Sequence, residues 1–100
     1  MLESKLTSNI IKRMRERGAM AEKIHGGPHQ SRGLPDIIAC YRGHMIGFEV
    51  KVPGREGTMT NLQRSKLRRI RAAGGVAAMI VSVQEADAIM DYIDGVYSRR

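Results

Sequence analysis

Apolar residues recur at helical spacing at the start of the chain. Leu6, Ile10 and Met14 follow one another every four residues, and Gly18 comes directly after this segment. Residues at this spacing lie on one face of a helix, and glycine is frequent just past a helix end. The pattern therefore predicts an amphipathic helix over residues 2–17. Residues 19–25 then alternate between apolar and polar types, which predicts a short strand.

Two apolar runs separated by a glycine-containing turn occupy the middle of the chain. They cover residues 33–41 and 45–51, and residues 42–44 lie between them. Runs of this length around a short turn are typical of a β-hairpin. The preceding segment, residues 26–33, contains three glycines and a proline, which predicts a loop.

The second half of the chain has a helix pattern, a strand pattern and a second helix pattern. Residues 60–73 carry Leu62, Leu67 and Ile70 as an inward helical face. Residues 76–83 are almost continuously apolar, which is typical of a strand buried on both faces. Because a helix precedes this strand, we expect a right-handed crossover that places it parallel to one strand of the hairpin.

Both of these helices begin with the signature of a capping box. In this motif a Ser or Thr hydroxyl and a Glu or Gln three residues later bond reciprocally to backbone N–H groups. Thr60 and Gln63 have this spacing, and so do Ser82 and Glu85. Helix capping by itself would explain why a glutamine stands at position 63.

Charged residues stand at the ends of the two hairpin strands. Side chains alternate between the faces of a strand, so Glu49 and Lys51 share a face while Val50 turns into the core. Asp36 opens the first strand and therefore lies near the end of the second. Two carboxylates beside a lysine suit Mg²⁺, which proteins usually hold through one or two carboxylates, with water and phosphate oxygens as further ligands. The structural alternative is a solvated strand edge, but a charge at the end of an apolar strand is unfavourable without a partner.

Composition favours a polyanionic partner. The 100 residues contain 17 Lys and Arg against 10 Asp and Glu, a net charge of +7. The aromatic fraction of 4% argues against binding of single strands through stacked bases. We expect one domain, residues 1–100, which buries only about two-thirds of its unfolded surface.

The single cysteine and the hydropathy bear on the compartment. Cys40 has no second cysteine with which to pair, so we expect a buried thiol in a reducing cytoplasm, that of a bacterium or a phage-infected host cell. No apolar run approaches the roughly 18 residues of a membrane span, and the N-terminus has no apolar secretion segment. We therefore expect a cytoplasmic protein with neither membrane association nor an organic cofactor.

Three short motifs in this order resemble the PD-(D/E)xK nuclease superfamily, and most closely its VRR-Nuc branch, the virus-type replication-repair nucleases. They are Gly-Leu-Pro-Asp at residues 33–36, Phe-Glu-Val-Lys at residues 48–51, and the pair of Thr60 and Gln63. The resemblance spans nearly the whole chain. It implies an α/β, restriction-endonuclease-like fold, with a mixed central sheet flanked by helices in the order α-β-β-β-α-β-α.

The resemblance also implies roles for individual residues. Asp36 and Glu49 would hold Mg²⁺ or Mn²⁺, with the backbone carbonyl of Val50 as a further ligand. Lys51 would position or activate the attacking water. Gln63 would project toward the active site and hold a water or a phosphate oxygen, a role that competes with helix capping.

Glu3 lies one turn before Leu6 on the apolar stripe of the first helix. A carboxylate at a helix N-terminus is favourable without any further role. In the family that these motifs resemble, a glutamate on the first helix points into the metal site, and Glu3 has the matching position. The sequence leaves both roles open.

The function implied by the resemblance is a metal-dependent endonuclease that acts as a homodimer on branched DNA, including four-way (Holliday) junctions. One alternative is an endonuclease on linear or flapped duplex without junction selectivity. The other is a non-catalytic DNA-binding module, against which the intact set of Asp36, Glu49 and Lys51 argues. We expect selectivity for structure rather than sequence, because 100 residues leave no second domain to recognise a long site.

Cations cluster in the helix over residues 60–73 and in the loop before the hairpin. A basic helix whose N-terminus is near the site is suited to hold phosphates. The loop of residues 26–33 is expected to contact substrate. The predicted DNA-contacting residues are Arg32, Arg64, Lys66, Arg68 and Arg69.

Overall fold

The computed structural model describes residues 1–28 and 32–98. Its elements follow the predicted order α-β-β-β-α-β-α, and none of the helices in these two ranges is long and apolar enough to cross a membrane. The elements are α1 Glu3–Glu16, β1 Met20–Lys23, β2 Ile37–Tyr41, β3 His44–Val50, a 3₁₀ helix Glu56–Thr58, α2 Asn61–Ala72, β4 Val76–Ile80 and α3 Val83–Ser98.

The strands form one mixed sheet in the order β1-β2-β3-β4. The first three strands are antiparallel, and the predicted hairpin is the pair of β2 and β3. Strand β4 lies parallel to β3, as expected for a strand that follows a helical crossover. The predicted fold class, a mixed sheet flanked by helices, is confirmed.

Different helices cover the two faces of the sheet. Helices α1 and α3 pack with Ile37, Ile46 and Phe48 in the main core, where these three side chains are fully buried. Helix α2 lies on the opposite face and approaches the sheet closely. A Cβ on Gly47 would lie 2.8 Å from Ile70 Cδ1, so the glycine lets the Ile70 side chain pack directly on the strand.

Three expectations from the apolar pattern are wrong. Cys40 is exposed, because it lies on the α2 side of the sheet, where that helix packs on β3 and β4. Leu62 is 44% exposed and lies against the loop at Gly33 instead of the core. The last strand ends at Ile80, because the Ser82 hydroxyl caps α3 and Val83 is already helical.

Ion pairs connect α1 to α3 on the first face. Arg13 Nε lies 2.9 Å from Asp87 Oδ1, and Arg17 contacts Asp87, Asp91 and Asp94. The Arg17 hydrogen bond lowers the pKa of Asp87, which keeps this carboxylate ionised. Arg13 of α1 and Arg17 directly after it are therefore paired with the acidic α3. Helix α2 carries its exposed cations on the other face.

Candidate active site

Four predicted site residues meet at the carboxyl end of β3. Glu49 lies in β3, Lys51 follows it, Asp36 precedes β2, and Gln63 lies in the first turn of α2. The backbone N–H of Val50 donates a hydrogen bond of 2.8 Å to Asp36 Oδ2. This bond connects the two motifs that the hairpin was expected to bring together.

Glu49 is buried at the centre of this group, with only 2% of its surface exposed. Its Oε2 accepts a hydrogen bond of 3.0 Å from Gln63 Nε2, and Lys51 Nζ lies 3.6 Å from the same oxygen. Its Oε1 is also buried but has no hydrogen-bond partner among the described residues. A carboxylate oxygen that is buried without a hydrogen-bond partner is unfavourable, unless the carboxyl is protonated or the oxygen contacts a cation. Oε1 is therefore an available ligand.

The protonation of Glu49 is poised near neutral pH. Burial raises the pKa of Glu49 to about 7, and the charge of Asp36 adds to the rise, whereas the ammonium of Lys51 opposes it. A cation that binds this carboxyl favours its deprotonated form. The site can therefore exchange a proton for a cation near pH 7.

Gln63 caps α2 and also reaches the candidate site, whereas its role in holding a water or a phosphate oxygen stays a prediction. Its backbone N–H donates to Thr60 Oγ1 over 3.1 Å, and its side-chain Oε1 accepts from the Thr60 N–H over 2.9 Å. The capping box is thus complete. The nitrogen of the same amide donates to Glu49, so one end of the side chain caps α2 while the other holds the carboxylate.

Gly33 brings the loop that carries Asp36 against α2. Its φ is +80°, and a Cβ there would lie 2.8 Å from Leu62 Cγ and 3.0 Å from the Leu62 carbonyl atoms. Only glycine permits this conformation and this approach. The sequence motif contains Gly33 but does not by itself indicate this role. The signal that was available is a glycine two residues before the Pro-Asp pair, combined with Gly47 inside a strand.

Glu3 is exposed at the first residue of α1. Within residues 1–28 and 32–98, no three His, Cys, Asp or Glu side chains come together as metal ligands. Glu3 therefore does not join Asp36 and Glu49 in this conformation, and its role in a metal site stays a prediction.

The cations predicted to contact DNA lie in the loop before the hairpin and along α2. Arg32 lines a cleft of about 230 Å³ together with Gly26, Gly27 and Asp36. Lys66 and Arg69 line a groove of about 530 Å³ beside α2, and Arg64 and Arg68 are exposed on that helix. Residues 29–31 of the predicted substrate loop lie outside the described residues.

Fold and site together define a restriction-endonuclease-like α/β domain with an acidic site at the end of its hairpin. A solved structure described as a VRR_NUC domain is similar to the chain, with a TM-score of 0.71 and 21% sequence identity; the match covers 89% of this chain and 94% of that chain. The chain thus has the fold of a VRR_NUC domain, as its motifs indicated. No protein-family model and no curated protein matches the sequence.

Proposed function

We propose that this protein is a metal-dependent nuclease that hydrolyses phosphodiester bonds in DNA. The observation that carries the proposal is the buried Glu49 carboxylate, whose Oε1 lacks a hydrogen-bond partner among the described residues and which lies beside Asp36 and Lys51. Similarity in fold to a VRR_NUC domain supports the same class of function.

Mg²⁺ or Mn²⁺ fits the donors at this site, because both prefer oxygen ligands and Mg²⁺ needs only one or two carboxylates. Asp36 and Glu49 would hold the cation, with the Val50 carbonyl as a further donor and Glu3 as an outer or second-metal contributor. When bound, the cation would polarise the scissile phosphate and lower the pKa of the attacking water.

The side chains around Glu49 have separate tasks in this mechanism. Lys51 is 8% exposed, and its ammonium is held near the Glu49 carboxylate, so it would orient the attacking water or a phosphate oxygen in a fixed direction. Gln63 would keep the Glu49 carboxylate from rotating. The N-terminus of α2, which carries Gln63, would add a positive helix end beside the bound phosphate.

DNA would bind on the α2 side of the sheet. Arg64, Arg68 and Arg69 are exposed there, whereas α3 on the opposite side carries Asp87, Asp91 and Asp94. Duplex phosphates are attracted to the first surface, whereas on the second surface the aspartates are paired with Arg13 and Arg17 and leave little net charge. This charge distribution supports a DNA surface on the same side of the sheet as Glu49.

Branched DNA, and four-way junctions in particular, is the substrate that we propose, on the basis of the motif resemblance and of a domain too small to contact a long sequence. A homodimer would supply the two sites needed for paired cuts. An exposed apolar row supports dimerisation, since Met20, Cys40 and Met45 are register partners across β1, β2 and β3. The row is at the other end of the strands from Glu49, so a second copy could cover it and leave the site open.

The test is incubation with an end-labelled four-way junction and with a linear duplex of the same sequence, each with Mg²⁺, Mn²⁺ or chelator. Paired, metal-dependent cuts near the branch point, absent on the duplex, are expected. Equal cutting of both substrates would leave a nuclease without junction selectivity. Binding without cutting would indicate a non-catalytic DNA-binding module.

Dimerisation is tested separately by sedimentation at micromolar concentration, with and without junction DNA. A twofold mass is expected in both conditions. A monomer in both would contradict the homodimer while leaving nuclease activity unaffected.

A further inference from the structure

The bonds around Gln63 give Thr60 a role beyond starting a helix. Its backbone N–H holds Gln63 Oε1, and the amide nitrogen of Gln63 holds Glu49 Oε2. We propose that Thr60 is a positioning residue of the site, whose N–H orients the Gln63 amide and thereby selects Glu49 Oε1 as the oxygen that receives the cation. This inference rests on the proposed function.

The chemistry of a primary amide makes the orientation specific. One end of the Gln63 amide only accepts hydrogen bonds, and the other end only donates them. With the reversed orientation, the NH₂ group would face the Thr60 N–H, donor against donor, and the oxygen would face the Glu49 carboxylate. The Thr60 N–H therefore excludes the reversed amide and directs the NH₂ group to Glu49.

Orientation of Gln63 determines which oxygen of Glu49 remains available. Oε2 is occupied by the Gln63 amide and lies 3.6 Å from Lys51 Nζ, whereas Oε1 is buried without a partner among the described residues. Hydrogen bonds that fix a ligand in this way increase its affinity for a metal. Loss of the Thr60 N–H should therefore weaken cation binding, although Thr60 would not touch the cation.

Three substitutions at Thr60 separate its N–H from its hydroxyl. Thr60→Pro removes both groups, and the backbone accepts proline because φ is −81° and the preceding residue is extended, with φ −66° and ψ 128°. Thr60→Ala removes only the hydroxyl, and Thr60→Ser keeps both groups. Ser82→Ala is the matched control, because it removes the equivalent hydroxyl cap of α3 and leaves the hydrogen bonds among Thr60, Gln63 and Glu49 in place.

The experiment measures Mn²⁺ affinity by titration calorimetry, the kcat and KM for junction cleavage, and the thermal midpoint of each variant. Thr60→Ala and Ser82→Ala should lower the midpoint similarly and change Mn²⁺ affinity less than about threefold, since both retain the N–H that orients Gln63. Thr60→Pro should weaken Mn²⁺ binding about tenfold and lower kcat more than it raises KM. In a Gln63→Ala background, Thr60→Pro should cause no further loss of affinity, because the group it orients is absent.

The inference would be overturned if Thr60→Pro and Thr60→Ala bound Mn²⁺ with equal affinity. It would also be overturned if the losses of Mn²⁺ affinity caused by Thr60→Pro and Gln63→Ala were fully additive in the double variant. A second measurement does not depend on the proline variant folding. Hydrogen exchange of the Thr60 amide should be slow in the native chain and faster in Gln63→Ala, and equal rates would also reject the inference. A native chain that neither binds Mn²⁺ nor cleaves DNA would refute the proposed function instead.

Discussion

The amide nitrogen of Gln63 lies 3.0 Å from Glu49 Oε2, and through this bond the first turn of α2 reaches the end of β3. The crossover helix and the hairpin are thus joined at the Glu49 carboxylate, which is almost completely buried. The bond satisfies only one of the two carboxylate oxygens. The site therefore holds Glu49 in place while leaving it with an unmet preference for a proton or a cation.

Replacing Glu49 should change how stability depends on pH. In the folded state the pKa of Glu49 is raised from 4.5 to about 7 by burial and by Asp36. The folded protein therefore retains a proton that the unfolded chain has lost between these two values, so this group makes the metal-free protein less stable as pH rises across that window. The decrease should be about 3 kcal/mol and complete by about pH 8. Glu49→Gln should remove it.

This is measured by urea unfolding with chelator at pH 5 and pH 8. Glu49→Gln should be more stable than the native chain at pH 8, although it is inactive. Mn²⁺ should stabilise the native chain but not the variant, because the ligand is lost. Glu16→Gln, at an exposed glutamate of α1, is the control for the change of charge. Equal pH slopes in Glu49→Gln and the native chain would contradict the prediction.

Gly33→Ala should damage the site more than its backbone strain alone explains. Both Gly33 and Gly43 have φ of +80°, so alanine is strained at either position by about 1–2 kcal/mol. Only Gly33 would also place its Cβ against Leu62, since no described atom lies within 4 Å of the Cβ position at Gly43. We expect Gly33→Ala to lose on the order of 1 kcal/mol more than Gly43→Ala.

The catalytic consequence should separate the same two variants. A Cβ at Gly33 would push the loop carrying Asp36 away from the helix carrying Gln63, and a shift of about 1 Å can reduce a rate about a hundredfold. Cleavage of junction DNA is therefore expected to fall at least about tenfold in Gly33→Ala and to be nearly unchanged in Gly43→Ala. Equal cleavage by the two variants would show that the contact with Leu62 does not position the site.

Lys51→Ala should reduce the rate of cleavage far more than DNA binding. The side chain is buried beside Glu49, so it offers little surface to DNA but is well placed to orient the reacting groups. A loss of about a hundredfold or more in single-turnover rate is expected, with the dissociation constant for junction DNA nearly unchanged. The control is Lys12→Ala, at an exposed lysine of α1. If Lys51→Ala cleaves at the native rate and still needs the metal, the role proposed for Lys51 is contradicted.

Arg69→Ala should reduce the dependence of DNA binding on salt. Arg69 lines the groove beside α2, on the side proposed to bind DNA. Removal of one phosphate contact lowers the slope of log affinity against log salt by about 1. Titrations of labelled junction at several salt concentrations measure this slope, for which Lys12→Ala again serves as the control. If Lys12→Ala lowers the slope and Arg69→Ala does not, DNA binds on the α1 side.

The sequence was sufficient for the order of the elements, the hairpin and the parallel last strand. These depend on apolar periodicity, turn residues and the handedness of crossovers, which are local or general properties of chains. It also located Asp36, Glu49 and Lys51 at one end of the hairpin, because strand alternation fixes which side chains share a face. Burial was predicted less well, since the exposure of Cys40 and Leu62 depends on which strands α2 covers.

The sequence by itself determined the elements of this protein and the hairpin that carries its carboxylates, because these follow from neighbours along the chain. Only the tertiary structure decided how Glu49 is held. The packing of α2 on Gly33 and Gly47 brings Gln63 to Glu49 and leaves the other carboxylate oxygen buried without a partner among the described residues. Contacts between elements distant in sequence set this burial, and burial in turn sets the pKa of Glu49 and its preference for a cation.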